Sequence, residues 1–288
     1  MTKFAIITDT DCSLPFDLAA QYHIQQVPIN ILFGEEIFKT EIDIDDVQLF
    51  ERIDREGQLP TTSAPSPGQF LEAYQAAFAA GADEVICFTV SGEISATYAA
   101  ALTAKDMLPE KTITVVDSRS LSLGQGFIVL KAAELAQAGA SRDEIIAGAM
   151  RLETDSGFYA ALATLKYLAM SGRVGHLAAG MANILNIKPV LTIQDGKLDM
   201  LEKVRTRKKA WARVIELTSE AVGDREIERM GLVHVAAHEQ AEELAILLRE
   251  RINCPDDILI ANLTAGLSVH SGAGMVGVGF TLKTVKNS

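Results

Sequence analysis

Short apolar runs that end in loops of hydroxyls and glycine, and then give way to helical patterns, recur through the first half of this chain. Phe4–Thr8, Glu84–Thr89 and Thr112–Asp117 are such runs, and helical periodicity follows the last two at Ser95–Met107 and Gly126–Ala138. Parallel strands need a crossover of about a dozen residues or more between them, so this alternation predicts an α/β fold with a parallel sheet. Four loops share the composition: Thr8-Asp9-Thr10-Asp11-Cys12-Ser13, Thr61–Gly68, Ser91–Thr97 and Asp117–Gly126. In an open parallel sheet the ligand crevice lies beyond the carboxyl ends of the strands, where these loops present O–H and N–H donors. Such a lining suits an anionic group and is not by itself equipped to break bonds.

Past about residue 155 the pattern changes. Val190–Gln194 and Lys197–Val204 flank Asp195-Gly196, a pair suited to a tight turn with positive φ, and they read as an antiparallel hairpin. Helical segments at Arg207–Ala221 and Glu239–Ile252 alternate with strand candidates at Met230–Ala236, Ile258–Leu263 and Met275–Leu282. With 288 residues and 48% hydrophobic content, two domains fit the length and the core. The expected architecture is a parallel three-layer α/β/α domain over residues 1–156, followed by a two-layer α/β domain with a mixed sheet over residues 157–288. Ser66, Pro67 and Gln69 form a capping-box pattern at the start of one helix, so Ser66 is expected to be structural.

The net charge of −12, from 26 basic and 38 acidic residues, argues against a nucleic-acid partner. Asp9 interrupts the amino-terminal apolar run too early for a signal peptide, and no apolar stretch is long enough to span a bilayer. A cytoplasmic location without an integral membrane segment is therefore expected. Cys12, Cys87 and Cys254 are odd in number and lack metal-ligand spacing, so neither a disulfide framework nor a metal site is expected.

Several motifs admit two readings. Asp9-Thr10-Asp11 after a first strand resembles the nucleophile loop of haloacid-dehalogenase-type phosphatases, which would make the chain a Mg²⁺-dependent phosphatase using Asp9 and Asp11. That chemistry needs further metal carboxylates, which are hard to find, and the alternative is a pair of turn-capping aspartates. Gly272-Ala273-Gly274-Met275-Val276-Gly277 matches the dinucleotide fingerprint, but the chain ends before the helix, strand and acidic residue that the fingerprint requires. His234 and His238 lack a third metal ligand. His270, in a small-residue segment resembling the four loops, is either an anion donor or a cap of its own loop. Lys203, Arg205, Arg207, Lys208, Lys209 and Arg213 form a basic cluster that is either a solvated face or a docking surface. A sugar-phosphate or nucleotide binder built on the same loops also stays open.

The loops together resemble the DegV family of bacterial fatty-acid-binding proteins, over nearly the whole chain. Thr8-Asp9-Thr10 with Leu14-Pro15, Thr62-Ser63-Ala64-Pro65-Ser66-Pro67, Ile94–Tyr98 and Val116-Asp117-Ser118 with Ser122–Gly126 carry the resemblance. Thr164–Leu168, Ser171-Gly172-Arg173-Val174-Gly175 and Lys188-Pro189-Val190-Leu191 extend it. It implies a noncatalytic, cofactor-free protein with a long-chain fatty acid between two domains, serving as the binding subunit of an ATP-dependent fatty-acid kinase. The carboxylate would be held by Thr62, Ser95 and His270, with Ser63, Arg173 and Gly272 around it, and Lys203, Arg205 and Arg207 would dock the kinase subunit. Burying about 14 methylenes at roughly 0.8 kcal/mol each contributes on the order of 11 kcal/mol before immobilisation costs, so the tail would dominate affinity. Phe158–Leu162 and Met181–Leu185 are candidate tunnel walls.

Overall fold

The computed structural model describes residues 2–173 and 187–284. The first half runs β1 (Phe4–Asp9), α1 (Phe16–Gln21), β2 (Ile24–Val27), β3 (Asn30–Phe33), β4 (Glu36–Lys39), α2 (Asp46–Glu56), β5 (Thr61–Ser63) and α3 (Pro67–Ala79). It continues with β6 (Glu84–Thr89), α4 (Thr97–Asp106), β7 (Ile113–Asp117), α5 (Ser122–Gln137) and α6 (Arg142–Met150). The alternation produces the expected parallel sheet, in the order β2-β1-β6-β7. Phe70 and Tyr74 of α3, with Ala101 and Ala104 of α4, pack on Ile7, Val85 and Cys87 on one face, and α5 covers the other. Ser66 caps α3 through the expected box with Gln69.

A second, small sheet between β2 and α3 was not visible in the sequence. Strands β4, β3 and β5 are antiparallel in that order, and Thr62 lies on β5 opposite Ile31 rather than in a loop. A three-residue strand is too short for periodicity to register, and its partner supplies the order.

The second half runs β8 (Ser156–Ala161), α7 (Lys166–Met170), β9 (Lys188–Gln194), β10 (Lys197–Val204), α8 (Arg207–Val222) and β11 (Ile227–His234). It ends with α9 (His238–Arg249), β12 (Ile258–Asn262), α10 (Ala265–Ser271) and β13 (Val276–Leu282). These strands form a mixed sheet, β10-β9-β8-β13-β11-β12, in which β11 and β12 are parallel and the other neighbours antiparallel. The β9–β10 hairpin turns at Asp195-Gly196 with φ of 51° and 77°, as the pair predicts. Trp211 and Val214 of α8 and Leu244 and Leu248 of α9 cover one face of this sheet.

Helix α5 closes the other face. Every residue from Ser122 to Leu130 is buried, so this part of the helix has no wet side to generate an amphipathic pattern, and it sits between the two sheets. Its true start is Ser122, four residues before the expected Gly126. Gly126 does not mark a turn: a Cβ there would lie 2.6 Å from the Cys12 carbonyl oxygen, so the glycine lets α5 press against the loop after β1. Ile86 and Phe88 of the parallel sheet and Phe158, Leu191 and Val233 of the mixed sheet thereby belong to one continuous core. Among the described residues no helix is long and apolar enough to cross a membrane.

Candidate functional site

The segment expected to be a loop around His270 is the short helix α10, so His270 is a helical residue and not a loop cap. Glu41 accepts the first N–H of this helix, from Ala265, at 3.0 Å. Gly266 then meets the turn after β1 so closely that a Cβ would lie 2.7 Å from Asp11 Oδ1. One helical turn later, His270 Nε2 lies 2.9 Å from Thr62 Oγ1 on β5. Two residues 208 positions apart in sequence are thus joined by a helix seated on the first loop and a strand seated on β3.

Behind that pair lies a narrow cavity of about 60 Å³. Phe158, Ala160 and Leu162 of β8 and its exit, Leu191, Thr192 and Leu198 of the hairpin, Leu121, Leu168 and Leu263 line it, with Leu267, His270, Ser271 and Met275 from α10 and its exit. Alternate residues of Phe158–Leu162 are wall, as the pleat requires, while Met181–Leu185 lie outside the described residues. The lining is almost wholly apolar. Thr192 spends its hydroxyl on the Phe158 carbonyl at 2.9 Å, and Ser271 spends its own on the Leu267 carbonyl at 3.2 Å. Nδ1 of His270 is buried with no partner among the described residues, so it is the unspent polar atom of the wall.

Burial, aided by the positive charge of Arg173, pushes the His270 imidazole down to about 4, so it is neutral at pH 7. A neutral ring has one donor and one acceptor nitrogen. When Thr62 donates its hydroxyl proton to Nε2, the remaining proton sits on Nδ1, and the ring offers a donor to an anion. The unfolded imidazole binds a proton near 6.5, before the native one does. Stability present above pH 6.5 is therefore lost as pH falls toward 4, by about 2 kcal/mol at pH 5. Glu41, pushed up to about 7 by burial, works in the opposite direction and is common to any His270 variant. Urea unfolding is expected to show a smaller loss between pH 7.5 and 5 for His270→Gln than for the wild type; equal losses would contradict a buried neutral imidazole.

The other expected ligand residues are differently placed. The Ser95 and Thr97 hydroxyls share a hydrogen bond of 2.8 Å at the start of α4, and no hydrogen bond among the described residues links Ser95 to the Thr62–His270 pair. Ser63 is exposed on β5, 3.4 Å from the Asn30 amide nitrogen. Arg173 is exposed, donates to the Ser171 carbonyl at 2.8 Å, and its charge reaches both His270 and Asp11. Gly272 ends α10 with φ of 78° beneath the Tyr167 ring. Lys203, Arg205 and Arg207 are exposed along the end of β10 and the start of α8, with the Arg207 guanidinium 4.9 Å from the Trp211 ring centre.

Asp9 and Asp11 are both buried, and burial raises both carboxyls. Asp9 accepts N–H groups from Val90 at 2.8 Å and Asp11 at 3.0 Å, and the Gln125 amide at 3.2 Å, so its oxygens tie loops together and face no substrate. Among the described residues no three His, Cys, Asp or Glu side chains are grouped to hold a metal ion. The capping reading accounts for the bonds of Asp9, whereas Asp11 Oδ1 is buried with no hydrogen-bond partner among the described residues; the phosphatase reading finds no support. His234 Nε2 and His238 Nδ1 lie 3.2 Å apart and satisfy each other.

Tyr167, Ser91 and the hairpin wall were not singled out from the sequence. Tyr167 stacks edge-on against Phe50 of α2 with ring centres 6.2 Å apart, a contact across two halves that no local pattern encodes.

The profile of the DegV family, whose members are described as uncharacterised proteins, matches residues 3–283. A DegV domain-containing protein of Caldanaerobacter subterraneus subsp. tengcongensis is 33% identical over 283 residues, covering 98% of this chain and 100% of the relative. A DegV family protein from Thermus thermophilus, whose structure is described in terms of fatty acid binding, superposes with a TM-score of 0.89 at 30% identity, over 98% of this chain and 100% of the other. DegV from Bacillus subtilis, described as a fatty acid binding protein, gives a TM-score of 0.88 at 29% identity, again over 98% and 100%. Matched from end to end in sequence and in fold, this chain belongs to the DegV family.

Proposed function

We propose that this chain binds a long-chain fatty acid in the cavity beneath α10 and presents its carboxylate to a separate ATP-dependent fatty-acid kinase subunit, which forms the acyl phosphate. The observation that carries the reading is the His270 Nδ1 atom, buried without a hydrogen-bond partner among the described residues in a wall that is otherwise almost wholly apolar. A saturated tail needs such a wall, and a carboxylate needs donors that stabilise its charge without a buried counter-ion. The relatives from Thermus thermophilus and Bacillus subtilis support the ligand class. Thr62 orients His270, Ser95 supplies a further hydroxyl, Arg173 adds positive potential, and Ser63 and Gly272 shape the surrounding backbone.

In this reading the chain is no enzyme and takes no cofactor. ATP is consumed on the partner, which must reach the carboxyl oxygen from outside. Lys203, Arg205 and Arg207 form the exposed basic patch of an acidic chain, which steers an acidic partner surface into place. Two measurements test the two parts. Lipid-free protein is expected to bind a long-chain acid in a calorimetric titration, and absence of binding would reject the ligand. With a fatty-acid kinase subunit and ATP, hydroxylamine trapping is expected to detect acyl phosphate. The triple variant Lys203→Glu, Arg205→Glu, Arg207→Glu should abolish it while leaving acid binding intact; undiminished product would reject the docking patch.

A further inference from the structure

The β9–β10 hairpin supplies cavity wall through Leu191, Thr192 and Leu198, and its turn is seated on the loops that follow β6 and β7. Ser91, fully buried, is the centre of that seat. Its hydroxyl donates to the Gly196 carbonyl at 2.6 Å and accepts the Glu93 N–H at 3.3 Å. Its own carbonyl accepts the N–H groups of Ile94 and Ser95, both at 3.0 Å. Lys197 pairs with Glu93 at 3.3 Å, and Arg119 reaches Asp195 at 3.8 Å. Asp117 braces both loops by accepting the N–H groups of Gly92 at 3.1 Å and Arg119 at 2.8 Å. Arg119 is held at a φ of 51°, a sparsely populated conformation for a residue with a Cβ.

Strand β10 is the edge of its sheet, and among the described residues the turn at residues 195–197 is tied to the loops beneath it by the buried Ser91–Gly196 hydrogen bond and two solvent-exposed ion pairs. Gln194, Asp195 and Lys197 are exposed at the tip, and exposed polar ties are the signature of a segment that opens at low cost. We propose that the tip of the hairpin is a latched wall: when the Ser91–Gly196 bond breaks, the turn lifts from its seat and Leu198 moves with it, while Thr192 stays paired to Tyr159 of β8, and the cavity opens for the acyl chain to enter and leave. Ser91 is a positioning residue, because the same residue fixes the backbone that carries Ser95. The latch rests on the fatty-acid reading above.

The test is the release rate of cis-parinaric acid from full-length, lipid-free protein, followed by stopped-flow fluorescence. Ser91→Ala is expected to speed release about tenfold, the loss of one buried hydrogen bond. Glu93→Lys and Lys197→Glu are each expected to speed release about threefold, as exposed ion pairs warrant. The double variant Glu93→Lys, Lys197→Glu restores the pair and is expected to return the wild-type rate, which a merely structural effect of either change would not do. Binding with release rates equal across the charge variants, or a double variant as fast as the singles, overturns the latch and leaves fatty-acid binding standing. Failure of the wild-type protein to bind the probe at all overturns the binding reading and the latch with it.

Discussion

Gly272→Ala is expected to lower stability by about 3 kcal/mol, from backbone strain and a buried clash together. The residue closes α10 at φ 78° and ψ 159°, a region essentially confined to glycine. A Cβ there would lie 2.1 Å from Tyr167 Cδ2 and 2.4 Å from Cε2, and the ring is pinned in turn by Phe50, so it cannot give way cheaply. Gly34→Ala is the comparison in which a positive φ is present without a clash. It has φ of 61° but nothing within 4 Å of a new Cβ, so strain alone should cost about 1 kcal/mol. Urea denaturation of both variants checks the difference. Equal losses would mean that Tyr167 does not pack on the end of α10, and the placement of His270 would lose its support.

Ala160→Phe is expected to weaken long-chain acid binding about 100-fold or more while the protein stays folded. Ala160 lines the cavity from β8, opposite Gly277 on β13, and is only 3% exposed. A phenyl ring there displaces about four methylenes of tail, worth about 3 kcal/mol or two decades in affinity. Overpacking costs about 1–3 kcal/mol of stability, so thermal unfolding must accompany the titration. Short-chain acids, whose tails do not reach the ring, should lose less than long ones. Equal loss for short and long acids would place the tail elsewhere.

The parallel half was legible because its strands carry consecutive apolar residues and its loops carry hydroxyls at their carboxyl ends. Glu84–Thr89 is a strand with the bounds its composition predicts, and Asp195-Gly196 turns as such a pair should. What escaped is whatever depends on a distant partner. Helix α5 has no amphipathic face because both of its sides are covered, and strand β5 exists because β3 is there to pair with it. Of the candidate site, the residue types were readable but not their grouping. Thr62 and His270 were named on the strength of hydroxyl-rich segments and family resemblance, and a strand and a helix bring them to 2.9 Å. Ser91 opens one of the hydroxyl-rich loops, yet nothing local distinguishes a serine that bonds across to Gly196 from one that merely turns the chain.

The carboxyl end of the ligand can be observed directly. A long-chain fatty acid labelled with ¹³C at its carboxyl carbon, added to lipid-free protein at pH 7, is expected to give one narrow bound resonance in the ionised range. That resonance should shift in Thr62→Val and in His270→Gln while the tail remains bound. A bound resonance that ignores both substitutions, or none at all, would contradict a carboxylate held beneath α10.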